Sequence, residues 1–159
     1  MLPRRWFHLP DLELGGILMS VVNEMLLQSH DGVIRLFPAL PQEWRDAAFQ
    51  LRAVGAFLVT AEIRAGEIQP FLIESLAGAE CRVESPWAGQ DTAVRNLSSG
   101  ALLPVRGAAI RFDTQPGARY LVFRAGQAEK PPQPLPPRRG PNQTPKKWHG
   151  CWLGIPRYF

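Results

Sequence analysis

The sequence predicts a mainly β fold, an antiparallel β-sandwich preceded by one apolar α-helix and followed by a disordered Pro-rich tail. Three observations carry this reading. Apolar and polar residues alternate over Phe49–Ala53 and Phe57–Arg64, the period of a strand with one face buried. Turn-forming residues recur at the spacing of short strands, as at Asp31-Gly32, Ala65-Gly66 and Gln115-Pro116-Gly117. Between Gly126 and Pro145, seven of twenty residues are proline, which removes backbone donors and leaves little to bury.

The helix comes first. Asp11 follows Pro10 and is placed to cap a helix running to about Ser29. Leu14, Leu18, Val21 and Met25 fall at steps of three and four, and Ile17, Val22 and Leu26 widen the apolar arc. So wide an arc needs cover on more than one side, which predicts partner helices upstream of this chain. Gly15 and Gly16 each cost about 1 kcal/mol of helix propensity relative to Ala, which points to close packing there or to a later helix start.

After Asp31-Gly32 the period becomes two. A strand is predicted over Val33–Leu40, then a connection from Pro41 to Asp46 anchored by Trp44. Strands at 49–53 and 57–64 follow, with a hairpin turn at Ala65-Gly66 leading into Glu67–Ser75, where Pro70 marks an edge or a bulge. Further strands are predicted at 80–85, 92–97, 109–113 and 119–125. The domain organisation is therefore a helix over 1–30, a sandwich over 31–125 and a basic Pro-rich tail over 126–159. The PQPLPP core of the tail has PxxP spacing, read as a solvated polyproline linker or a ligand for an aromatic groove.

Composition excludes several classes. A chain of 159 residues can bury one core, and 45% hydrophobic residues argues against wholesale disorder. The net charge of +4 suggests nucleic acid until its placement is examined. Residues 1–124 hold 12 Arg and no Lys against 13 acids, whereas six bases and Glu129 lie beyond them. The basicity belongs to the tail, and a near-neutral body lacks the positive face that phosphate binding needs, so no nucleic-acid partner is predicted. The longest apolar run, Leu14–Val22, is too short to span a bilayer, and Trp6–Glu13 interrupts any signal-peptide core. No membrane partner follows, and the compartment stays open. Cys81 and Cys151, one in the core and one in the tail, read as free thiols. Three scattered histidines give no zinc spacing, and no phosphate-binding or dinucleotide glycine string occurs, so neither a metal nor another cofactor is predicted.

The most specific wording is NEMLLQSHDGVIRLFPALP, from Asn23 to Pro41. It resembles the fucosidase-like glycoside hydrolases of family 95, in which an EMLLQSHDG segment closes a helical catalytic barrel and an LLPALP-like strand opens a C-terminal β-sandwich. The resemblance extends over residues 1–124. It implies that the helix is the last of an (α/α)6 barrel lying outside this chain, and that the chain's partner is that upstream catalytic domain.

Inverting hydrolysis of a glycosidic bond needs an acid and a base on opposite faces of the sugar. The resemblance places the acid far upstream and the base, an Asp, about eleven positions before the Glu of EML. Counting back from Glu24 reaches Glu13, the one catalytic candidate. The family string there is closer to Asp-Gly-Asn-Phe-Gly, whereas this chain reads Glu13-Leu14-Gly15-Gly16. The other reading of Glu13 is a solvated first-turn acid favoured by the helix dipole. Glu24 is read as half of an ion pair with a partner helix or as a pocket residue, and His30 as a cap on the last helical carbonyls. Trp44 and Trp87 are candidate platforms for a sugar ring or anchors of the core. Two functions result. One is the C-terminal sandwich of a fucosidase-like hydrolase, inactive alone and structural for its barrel; the other is a free-standing sandwich that binds carbohydrate or protein. The apolar helix separates them, because a free module has no need of it.

Overall fold

The N-terminal helix stops earlier than its apolar pattern predicts. In the computed structural model, which describes residues 12–105, 109–133, 146–148 and 151–153, α1 covers Leu12–Leu26. The next two residues, β1 (Leu27–Gln28), pair antiparallel with β2 (Arg35–Leu36), so the chain enters a hairpin where another half-turn of helix was predicted. The reason lies at the C-terminus of α1. The carbonyl oxygens of Leu26 and Met25 accept the N–H groups of Phe37 at 2.8 Å and Ala39 at 3.4 Å, and Phe37 takes a left-handed φ of 52° to make the turn. Backbone, and not His30, therefore satisfies the end of the helix.

The rest is a two-layer sandwich. The larger layer has seven strands: β3 (Ala47–Ala53), β4 (Phe57–Arg64), β5 (Glu67–Ile68), β6 (Phe71–Ser75), β8 (Thr92–Asn96), β9 (Leu102–Val105) and β11 (Arg119–Arg124). Their spatial order is β3-β4-β6-β11-β8-β9, with β5 also on β4, and every pair is antiparallel. The opposing layer is β7 (Cys81–Glu84) with β10 (Ala109–Phe112), widened by Ile34, whose N–H and carbonyl bond Arg82 and Glu84 at 2.9 and 3.0 Å. Two short strands, β12 (Lys146–Trp148) and β13 (Cys151–Leu153), form a separate hairpin.

Alternation put the right residues inside. Phe49, Phe57, Val59, Phe71, Ile73, Val94, Tyr120 and Val122 of the large sheet meet Ile34, Val83, Ile110 and Phe112 of the other layer in one buried cluster. Leu27 and Leu36 belong to the same cluster, so the β1–β2 hairpin is part of the sandwich core. Cys81 is a free thiol in this cluster, and burial pushes its pKa up to about 12, which makes it inert.

Two strand predictions are refined, and one strand was not predicted. Glu67–Ser75 is broken by Pro70, and between Ile63↔Ile68 and Thr60↔Leu72 three residues oppose two, which makes the predicted bulge. Val33–Leu40 shortens to the Ile34 bridge and β2. Strand β9 has no alternation strong enough to announce it and contains Pro104, tolerated because β9 lies at the edge of the sheet. Of the Pro-rich stretch expected to be disordered, residues 134–145 lie outside the described residues, and 126–133 run on from β11.

A small polar network sits at one end of the core. Buried Ser75 and Thr114 share a hydrogen bond at 2.7 Å, and the Ser75 hydroxyl accepts the Gly78 N–H at 3.1 Å. Gly78 has φ +79°, and a Cβ on it would lie 2.6 Å from the Pro116 ring. Gly78→Ala is expected to cost about 1–3 kcal/mol from strain and crowding. Urea denaturation checks this as a lower midpoint at unchanged slope.

Candidate functional site

The junction between α1 and the sandwich gathers two of the residues singled out in the sequence, Glu24 and His30. Because α1 ends at Leu26, Glu24 stands in its last turn, where an acid faces the negative end of the helix dipole. The chain then turns through Ser29–Gly32, closed by the Gly32 N–H donating to the Ser29 carbonyl at 3.0 Å. That turn brings His30 beside β3 and opens a cleft of about 480 Å³ lined by Glu24, His30, Leu51, Arg52 and Val54. The Ser29 hydroxyl accepts the Val54 N–H at 3.0 Å and holds the two sides together. Glu24, His30 and Arg52 are all exposed, and Glu24 forms no ion pair among the described residues.

An ion network fixes the turn. Arg35 holds Asp31 through two bonds of 2.8 and 2.7 Å and reaches Glu84 at 2.9 Å. Asp31 also accepts the Val33 N–H at 3.1 Å. The Arg35 guanidinium, with that backbone bond, holds the Asp31 carboxyl well below the usual carboxylate range. A depressed carboxyl stabilises the fold above its unfolded pKa, about 3.9, and the contribution is lost as pH falls below that value. Asp31→Asn is therefore expected to reduce the acid sensitivity of the fold below about pH 4. Thermal denaturation across that range, with and without added salt, checks it, since salt screens an exposed pair.

Glu13 is the second residue of α1. Eleven residues at 1.5 Å rise separate it from Glu24 by about 16 Å along the axis. An inverting carboxylate pair stands about 6.5–9.5 Å apart. These two acids therefore do not constitute such a pair.

The tryptophans part ways. Trp87 is 6% exposed, packs on Phe71 at a centroid distance of 5.8 Å and donates its indole N–H to the Ile68 carbonyl at 3.3 Å. Its ring faces belong to the core, so the sugar-platform reading of Trp87 gives way to the anchoring one. Trp44 is 45% exposed and offers a ring to solvent. Arg45 and Asp46 hold its loop, by bonds to the Ala65 carbonyl and N–H at 2.7 and 2.9 Å. No group of three or more His, Cys, Asp or Glu residues suited to a metal occurs among the described residues. No described helix is long and apolar enough to cross a membrane.

Alternation and spacing did not reveal the Arg35–Glu84 contact or the ion pair between Arg95 and Glu129, because the partners lie 49 and 34 residues apart. Comparison with known proteins gives one family match. The model of the glycoside hydrolase family 95 C-terminal domain fits residues 28–122, from β1 into β11. No curated protein matches the chain.

Proposed function

The chain belongs to the glycoside hydrolase family 95 C-terminal domain family, and on that premise we propose that it is the non-catalytic, structural portion of a fucosidase-like hydrolase. Its partner is the helical catalytic domain of the parent protein, and α1 is the element that packs into it. One observation carries the proposal. Residues 15–21 are exposed through nearly two full turns, and Ile17, Leu18, Met19 and Val21 are among them, Met19 at 70%. A helix apolar on several sides belongs inside a helical assembly, not on a surface.

Two further features support this reading. A Cβ on Gly15 or Gly16 would meet nothing within 4 Å among the described residues, so the sandwich gives no reason for either glycine. Glu24 is an acid at the wrong end of the helix dipole, and α1 has no base in its last turn; a cationic side chain from the partner compensates it. On this basis we place the domain boundary at Leu26–Leu27, where the helix ends and the first fully buried residue of the core follows.

Catalysis is not expected from this chain alone, since Glu13 is the only candidate and a second carboxylate at working distance is required. Incubation with an aryl α-L-fucoside tests this. No turnover above buffer is expected; turnover that Glu13→Gln abolishes would overturn the proposal.

A further inference from the structure

The large sheet has two faces, and only one belongs to the core. Phe71, Ile73, Tyr120 and Val122 point into the buried cluster, so Leu72 and Leu121 between them point the other way. A sheet face turned to solvent is polar by the usual alternation. Yet Leu72, Leu121 and Phe123 are buried although they stand outside the core cluster, Leu121 at 1% exposure. Something other than the second layer covers them.

The chain that leaves β11 is in place to do so. A turn closed by the Gln127 N–H on the Arg124 carbonyl at 2.9 Å, with Gly126 at φ 79°, takes it out of the strand. Arg95, Leu121, Leu72 and Thr60 pair in register across β8, β11, β6 and β4 and form one row on the outer face. At one end of the row Arg95 grips the Glu129 carboxylate with two donors, one at 2.8 Å, and is itself fixed by a bond to the Gly100 carbonyl at 2.9 Å. Toward the other end, Pro131, Pro132 and Gln133 share a small cavity with Arg64, Gln69 and Pro70.

Lengths agree with a crossing. Three interstrand spacings of about 4.8 Å separate β8 from β4, about 14 Å in all. The step from Glu129 to Gln133 spans about 12 Å as polyproline II. The segment is therefore long enough to run across the strands over Leu121 and Leu72. Gln127 and Pro132, half-buried among exposed neighbours, are the side chains it turns to the sheet.

We propose that residues 126–133 are a strap that docks on the outer face of the large sheet and closes it, with Arg95 and Glu129 as its clip. The prolines have few conformations to lose on docking, and their rings bury C–H surface against the leucines. An exposed ion pair contributes little affinity, so the clip sets where the strap crosses more than how tightly it holds. With the strap lifted, Leu72, Leu121 and Phe123 open as one apolar patch, a surface of the kind that drives association. The family match ends at residue 122, before the strap begins, and the device is independent of the docking of α1.

Thiol labelling tests the strap. Leu72→Cys is introduced into the full chain together with Cys151→Ser, and uptake of N-ethylmaleimide is followed by mass spectrometry. Buried Cys81 labels only if the sandwich itself opens. The thiol at position 72 is expected to react slowly in the full chain and equally slowly in a chain ending at Gln133. In a chain ending at Ala125 it is expected to react at least about tenfold faster while Cys81 stays unlabelled. Glu129→Lys in the full chain sets two cations at the clip and is expected to speed labelling about fivefold. That variant lies at an exposed position and carries the test if the chain ending at Ala125 does not fold. The proposal is overturned if the chain ending at Ala125 folds and labels no faster, if the chain ending at Gln133 already labels fast, or if Glu129→Lys leaves the rate unchanged.

Discussion

Removing residues 1–22 is expected to convert a self-associating chain into a monomer with its sandwich intact. The segment removed carries Ile17, Leu18, Met19 and Val21, all exposed, and none of residues 15–22 belongs to the buried cluster. Exposed contiguous apolar surface drives association, and its loss removes the cause. The cut must stop there. Removing residues 1–30 would also delete Leu27 from the core, the whole of β1 and the Ser29 hydroxyl that accepts the Val54 N–H. Loss of one buried leucine side chain alone costs about 2–5 kcal/mol, a large part of a typical domain stability of about 5–15 kcal/mol. Sedimentation velocity with circular dichroism checks both deletions. A well-behaved monomer before any deletion, or a sandwich indifferent to the longer cut, would contradict the account.

Trp87→Ala is expected to cost about 3–5 kcal/mol, as truncation of a buried aromatic does. It removes the packing on Phe71 and the indole bond to Ile68, and both lie where the large sheet changes register at the bulge. Trp44→Ala, at a half-exposed ring, is expected to stay within about 0.5 kcal/mol. Urea midpoints of the two variants give the comparison directly. Equal losses would mean that Trp44 anchors its loop after all.

The sequence carried the fold where side-chain period reports burial. Phe57, Val59 and Ala61 alternate in β4 because one sheet face is dry, and all three are buried. Pro70 announced the bulge because a ring without an N–H cannot continue a ladder. Legibility failed where backbone contacts from elsewhere decided the outcome. Leu27 and Gln28 fit the helical period, and only the arrival of Arg35–Leu36 and the Phe37 N–H draws them into a hairpin. Trp87 and Trp44 both stand beside prolines or acids in loops, and only the packing of Phe71 tells the buried ring from the exposed one.

The central claim is that α1 is an interface for a helical domain, and hydrogen exchange tests it most directly. The full chain is mixed with a family 95 helical catalytic domain that ends before its own last helix, and amide exchange is followed residue by residue. The account predicts that amides at 15–21 slow by at least about tenfold, equivalent to about 1.4 kcal/mol of added protection, while those of β3, β4, β6 and β11 are unchanged. Exchange in α1 that is the same with and without the helical domain, or new protection confined to the sheet, would contradict it.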